Sequence, residues 1–175
     1  MVGQVRPPQA IADIYLWQAL AYASLGNEQR TTEALERAAM TIEAATPSNK
    51  PEWLPNVSMT TVQETIGCSY IRLGKARPAA DEIARALKSR SGDTDYPSRM
   101  HKSMVLTWAS QAYAMLKEPD HAVGLLQEAI PTVSTSKSVR GVQEIRKARA
   151  ALRPWESEPF VRQLDGEMRT AGITV

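Results

Sequence analysis

Cysteine occurs once in 175 residues, at Cys68. With no second thiol, an intramolecular disulfide and a cysteine-based metal cluster are both excluded. A reducing compartment is compatible with that usage. Histidine occurs only at His101 and His121. The two are far apart in sequence and lack the i,i+4 spacing that sets two ligands on one helix face, so no bound metal is expected. No stretch alternates apolar and polar residues long enough to read as a half-buried strand. No apolar run approaches the roughly 18 residues of a membrane span, and MVGQVRPPQAIADIYL lacks the charged-then-apolar layout of a signal peptide. A soluble, cytoplasmic protein is expected. Gly-rich phosphate loops, a nucleophile elbow and a dinucleotide fingerprint are missing too, so neither an enzyme nor a cofactor is anticipated. The net charge is only +2, and the mild excess in residues 61–118, 9 basic against 6 acidic side chains, is too dispersed for a nucleic-acid footprint.

What the chain does contain is helix-forming. Ala, Leu, Glu, Arg and Gln are abundant and 43% of residues are hydrophobic, enough for one all-α domain over residues 1–175. The organising stretch runs from Ile66 to Ala86, IGCSYIRLGKARPAADEIARA. On two antiparallel helices Gly67 and Ala79 allow a close backbone approach, flanked by Ile66, Tyr70 and Ile83. Gly74 falls where the first helix must stop and reverse, a position favouring left-handed φ.

An earlier copy precedes it. Pro7 and Pro8 suit a first helical turn, and Ile11, Ile14, Tyr15, Gln18, Ala19, Tyr22 and Leu25 follow at helical spacing. After Gly26-Asn27 a second helix resumes, with Leu35, Ala38, Ala39 and Ile42 on one face. Aligned on the turn, Tyr22, Gly26, Thr31, Leu35 and Ala38 match Tyr70, Gly74, Ala79, Ile83 and Ala86; Thr31 stands where the pattern wants a small apolar residue. A third copy places Ala109, Ser110, Tyr113, Ala122, Leu126 and Ala129 at the same positions, with Lys117 in place of the turn glycine. The expected hairpins cover about 8–45, 57–90 and 98–135.

Residues 46–55, TPSNKPEWLP, read as a loop whose Trp53 and Leu54 plug a groove, SGDTDYP as a linker, and TVSTSKS after Pro131 as another. Two C-terminal helices follow. The first, about 139–152, has Ser138 as N-cap, a core face of Val142, Ile145, Ala148 and Leu152, and a solvated face of Arg146, Lys147 and Arg149. The second, about 159–171, carries Phe160, Val161, Leu164 and Met168 and could cap an open stack.

The ordered pattern of small, aromatic and turn residues resembles the tetratricopeptide repeat, a helix-turn-helix unit that stacks into a right-handed α-solenoid. The turn positions 26, 74 and 117 lie farther apart than the roughly 34-residue spacing of plain arrays, so the variant is a loosened one. LRPWESEPFVRQLDGEMR, following the hairpins, looks like the C-terminal region of actinobacterial transcriptional regulators. In that family a helix-turn-helix DNA-binding domain precedes a helical-repeat regulatory domain. Here the repeats begin near Met1, so the chain matches either the regulatory part of such a protein or a stand-alone relative.

The resemblance implies a non-enzymatic regulatory module that binds a peptide, small molecule or protein in its concave groove. The groove positions of the first helices are Asp13, Leu16, Leu20 and Ser24; then Thr61, Glu64, Cys68, Ile71 and Arg72; then Met104, Thr107, Trp108, Gln111 and Met115. Leu16, Leu20, Glu64, Cys68, Arg72, Thr107, Trp108 and Gln111 are the principal candidates. Repeat domains that clamp the carboxylate ends of chaperone tails place Lys and Asn at such positions; only Arg72 carries a suitable charge, so no chaperone tail is expected. Cys68 reads as a small buried hydrophobe. Glu64 and Arg72 form the nearest ionisable pair, eight residues apart. An oligomerising scaffold without a small ligand, such as a homodimer, is the alternative; it would leave Phe160, Val161, Leu164 or Met168 in an exposed apolar stripe.

Overall fold

The computed structural model describes residues 7–45, 57–90 and 96–174. These residues are all-helical, with no strand among them: α1 (Pro8–Ser24), α2 (Glu28–Glu43), α3 (Met59–Arg72), α4 (Ala76–Ser89), α5 (Tyr96–Met115), α6 (Pro119–Ser136), α7 (Val139–Ala151), a 3-10 turn at Arg153–Trp155, and α8 (Pro159–Thr170). Trp53 and Leu54 lie outside the described residues.

Helices pair in chain order: α1 with α2, α3 with α4, α5 with α6. The three reversals share one backbone device. The amide of Gly26 donates to Ala23 O (3.0 Å) and that of Asn27 to Tyr22 O (2.9 Å). Gly74 and Lys75 donate likewise to Ile71 O (3.1 Å) and Tyr70 O (2.8 Å), and Lys117 and Glu118 to Ala114 O and Tyr113 O, both 3.0 Å. Each is a Schellman closure, which satisfies carbonyls at the helix end and needs a left-handed residue. Gly26 (φ 70°) and Gly74 (φ 75°) adopt that conformation freely, whereas Lys117 is held in it at φ 62°. The closure recurs after α8, where Gly172 and Ile173 donate to Arg169 O and Met168 O.

Close approaches occur where the side chain is missing. A Cβ on Gly67 would run into the Ile83 side chain and lie 3.4 Å from Ala79 O. One on Gly141 would come 2.9 Å from both Met100 Cε and Val133 Cγ1, so α7 seats tightly against α5 and α6. Thr31, at the small-residue position of α2, is buried with its hydroxyl donating to Asn27 O at 2.7 Å, so its polar group is satisfied.

The core falls into three clusters in chain order: around Leu16, Leu35, Ala38 and Val62; around Ala79, Ile83, Val105 and Ala109; and around Leu126, Val133, Ile145, Leu152, Leu164 and Met168. The last is the most aliphatic and joins α6, α7 and α8. Val161, Leu164 and Met168 are fully buried in it and Phe160 partly, so the last helix presents no exposed apolar stripe.

Several expectations need correction. The buried stripe of α1 is Ala12, Leu16, Ala19 and Ala23, while Ile14 is 46% and Leu25 79% exposed. The helix carries apolar residues on every side, so spacing alone could not pick the inward face. Tyr96 and Pro97 belong to the first turn of α5 rather than to a linker. Helix α6 continues through Pro131 to Ser136. Proline removes one helical hydrogen bond, but Val133 beyond it is fully buried and Ser134 Oγ donates to Ala171 O at 2.9 Å, so tertiary contacts hold the segment helical. Arg149 is not solvated: it is 7% exposed, with Nε and Nη2 donating to the two carboxylate oxygens of Asp165 at 2.5 and 2.8 Å. That bidentate bond raises the guanidinium's pKa above its already high ordinary value, against the opposing effect of burial. Ser138 does cap α7, accepting from Gly141 N at 3.1 Å.

Candidate functional site

Helix α3 packs against both α1 and α5, and α5 packs against α7. The four together wall a cavity of about 670 Å³. Helical spacing explains its lining. On α1 it takes Asp13, Leu16, Trp17, Leu20 and Ser24, and on α3 Thr61, Glu64, Thr65, Cys68, Ile71 and Arg72. Both series step by three or four residues along one face. Helix α5 adds His101, Trp108 and Gln111, and α7 adds Arg140, Glu144 and Lys147.

Of the principal candidates, Leu16, Leu20, Glu64, Cys68, Arg72, Trp108 and Gln111 come together here. Leu16 is nearly buried and shares the first core cluster, so it offers the cavity only an edge. Thr107 lies outside the lining: it is fully buried and its hydroxyl donates to Met104 O at 2.7 Å. Met115 is likewise outside the lining. Met104 lines a smaller adjoining hollow of about 260 Å³ with Met100, His101, Trp108, Ser138 and Arg140. Because α5 is packed by α3, α4, α6 and α7, only a narrow stripe of it remains open to the cavity.

Six lining residues are not among the sequence candidates. Trp17 and Thr65 stand one helical turn from Asp13 and Thr61, and completing the i+4 rows would have found them. His101 lies two turns before Trp108 on the same face of α5, and extending that row would have found it. Arg140, Glu144 and Lys147 reach the site because α7 folds against α5, a long-range contact that the periodicity of α7 does not encode.

The polar groups are organised around two carboxylates. Glu64, 2% exposed, receives Arg90 Nε at 2.5 Å and lies 2.6 Å from His101 Nε2. A buried carboxylate needs such partners, since an unpaired charge away from water is strongly unfavourable. The network ties α3 to the end of α4 and the start of α5. Glu144 accepts from Trp108 Nε1 at 3.3 Å and from Lys147 Nζ at 2.7 Å, fixing the indole on the cavity wall. Arg72 does not pair with Glu64, as their eight-residue spacing implies. Its Nη1 donates to Leu20 O and Ser24 Oγ, both at 2.8 Å, bridging α3 to the end of α1. The partners across that gap are simply nearer than the carboxylate two turns back.

Burial pushes the Cys68 thiol far above its ordinary range, outweighing the pull of the Arg72 charge; Glu144 and Glu64 add to the rise. The reactive form of cysteine is the thiolate, so this thiol is suited to packing rather than to attack. Among the described residues no group of three or more His, Cys, Asp or Glu is placed to hold a metal ion, and no helix is long and apolar enough to cross a membrane. A second depression, about 680 Å³ between α6 and α8, carries a single ionisable side chain, Glu167, already hydrogen-bonded by Gln127 and Gln163 at 3.0 Å each. It offers far less chemistry than the four-helix cavity.

Among known proteins, no family model matches the chain, and no curated protein or solved structure is significantly similar to it.

Proposed function

We propose that this chain is a non-enzymatic, ligand- or partner-sensing module: a right-handed solenoid of three tetratricopeptide-like hairpins with two C-terminal helices. In this reading it forms the regulatory part of a bacterial transcriptional regulator and binds a peptide, small molecule or protein in its concave groove. A single observation carries the binding reading. The first helices of the three pairs, joined by α7, converge on one cavity with apolar walls and a few fixed polar groups, which is the usual composition of a ligand site. The recurring turn at Gly26, Gly74 and Lys117 supports the repeat reading, and the tail sequence supports the regulator reading. Each pair contacts chiefly its neighbours, so small rotations between pairs would add along the chain when the cavity fills.

The test is light scattering of the purified chain combined with thermal melts against cell-extract fractions and a peptide pool. A fraction that raises the melting temperature without changing the mass supports the reading, since a ligand bound only by the native state stabilises it. A stable dimer whose melt no fraction shifts would replace it with a scaffolding role.

A further inference from the structure

We infer that the occupant of the four-helix cavity is a small amphipathic carboxylate whose anion is received by Arg72 and whose apolar body lies against Leu20, Ile71 and Trp108. The inference rests on the groove reading above and adds the chemistry of the ligand.

The pairing of charges in the lining carries it. His101 lies beside Glu64 and Lys147 donates to Glu144, so those two basic groups already face carboxylates. Arg72 and Arg140 have no carboxylate partner among the described residues, and Asp13 is the one lining acid without a basic partner there. Among the lining groups without an opposite partner, the two guanidinium groups therefore outnumber the one carboxylate. Arg72 is also prepared for an anion. Its Nη1 is held by two neutral oxygens of α1, Leu20 O and Ser24 Oγ. That fixes the plane of the guanidinium while its Nε and Nη2 donors make no hydrogen bond among the described residues. Such a fixed fork matches the two oxygens of a carboxylate. The indole of Trp108, locked by Glu144, with Leu20 and Ile71 supplies an apolar wall on three different helices. A volume of about 670 Å³ is of the size that encloses small organic ligands, roughly 300–1,000 Å³, and is far too small for a folded partner.

The experiment titrates the full chain with decanoate and with decanamide, below their aggregation limits, following tryptophan fluorescence and the melting temperature. Decanoate is expected to bind about tenfold more tightly than the amide. Arg72→Gln should remove that preference, and Arg72→Lys, which keeps charge but loses the fork, should restore only part of it. Melts of the unliganded variants establish that they fold. Equal or tighter binding of the amide, or a preference untouched in Arg72→Gln, overturns the anion assignment and leaves the groove reading standing. Failure of both probes to bind also overturns it, while the extract-fraction melts judge the groove reading independently.

Discussion

At the scale of single residues, the structure rests on a few positions whose backbone or volume admits little else. Lys117 occupies the left-handed site that Gly26 and Gly74 fill elsewhere, and an L side chain there costs about 1 kcal/mol. Lys117→Gly should therefore raise stability by about 1 kcal/mol, or roughly 2–4 °C in a chain of this size; a melt that stays put or falls would contradict the shared-turn account. Gly67→Val should lower stability by about 2 kcal/mol, because the new side chain must displace Ile83. A denaturant midpoint unchanged by that substitution would show that the two helices are not so close. For Cys68, the folded pKa lies above the ordinary value of 9.0. The folded state thus disfavours the thiolate: its contribution is fully present below about pH 9 and is lost as pH rises above it. Cys68→Ala should flatten the fall in stability above pH 9 relative to the parent, and the native thiol should resist disulfide reagents at neutral pH until the chain unfolds. Fast native labelling would refute the burial. Gly26, Gly74 and Ser138 were legible in the sequence because turns and caps are local. The partners of Glu64 and Arg72 were not, because each lies on a different helix.

At the scale of elements, legibility followed how one-sided each helix is. Helices α4 and α8 have one apolar face, and Ile83, Val161, Leu164 and Met168 were placed inside from spacing alone. Helix α1 has apolar residues all round, so its helical spacing gathers buried Ala19 together with exposed Ile14 and Leu25; a helix greasy on every side takes its orientation from its neighbours. Helix α6 shows the opposite failure, a strong local stop signal at Pro131 overridden by the burial of Val133. Pro131→Ala restores a donor toward Gln127 O on an exposed face and should stabilise by about 1–3 kcal/mol; a loss would mean the proline is needed to shape the helix. Arg149 illustrates a signal that could not be read. Three basic residues nearly in a row look solvated, yet one of them turns inward to meet Asp165 from α8. Arg149→Ala should cost about 2–4 kcal/mol, because it leaves a largely buried carboxylate without its partner. Unfolding in urea at neutral pH measures it, and a loss within 0.5 kcal/mol, the usual range for a solvated surface position, would contradict the buried geometry.

At the scale of the whole molecule, three core clusters laid out in chain order leave a cavity walled by α1, α3, α5 and α7. Two accessible links tie the first helix pair to the second by hydrogen bonding among the described residues: Arg72 to the end of α1, and Lys75 to Glu28. Filling the cavity next to Arg72 acts directly on that junction. The central claim is that this cavity is where a ligand binds, and it is tested most directly by blocking it. Leu20→Trp fills the wall with a bulky apolar group at a half-buried position, and its unliganded melt checks that it folds. Parent and variant are melted with the same extract fractions and peptide pool. At a hundredfold excess over the dissociation constant, a native-state ligand adds about 2.7 kcal/mol, roughly 5–10 °C here. The parent should show such a shift and Leu20→Trp should not. Equal shifts in both, or none in either, would contradict the claim.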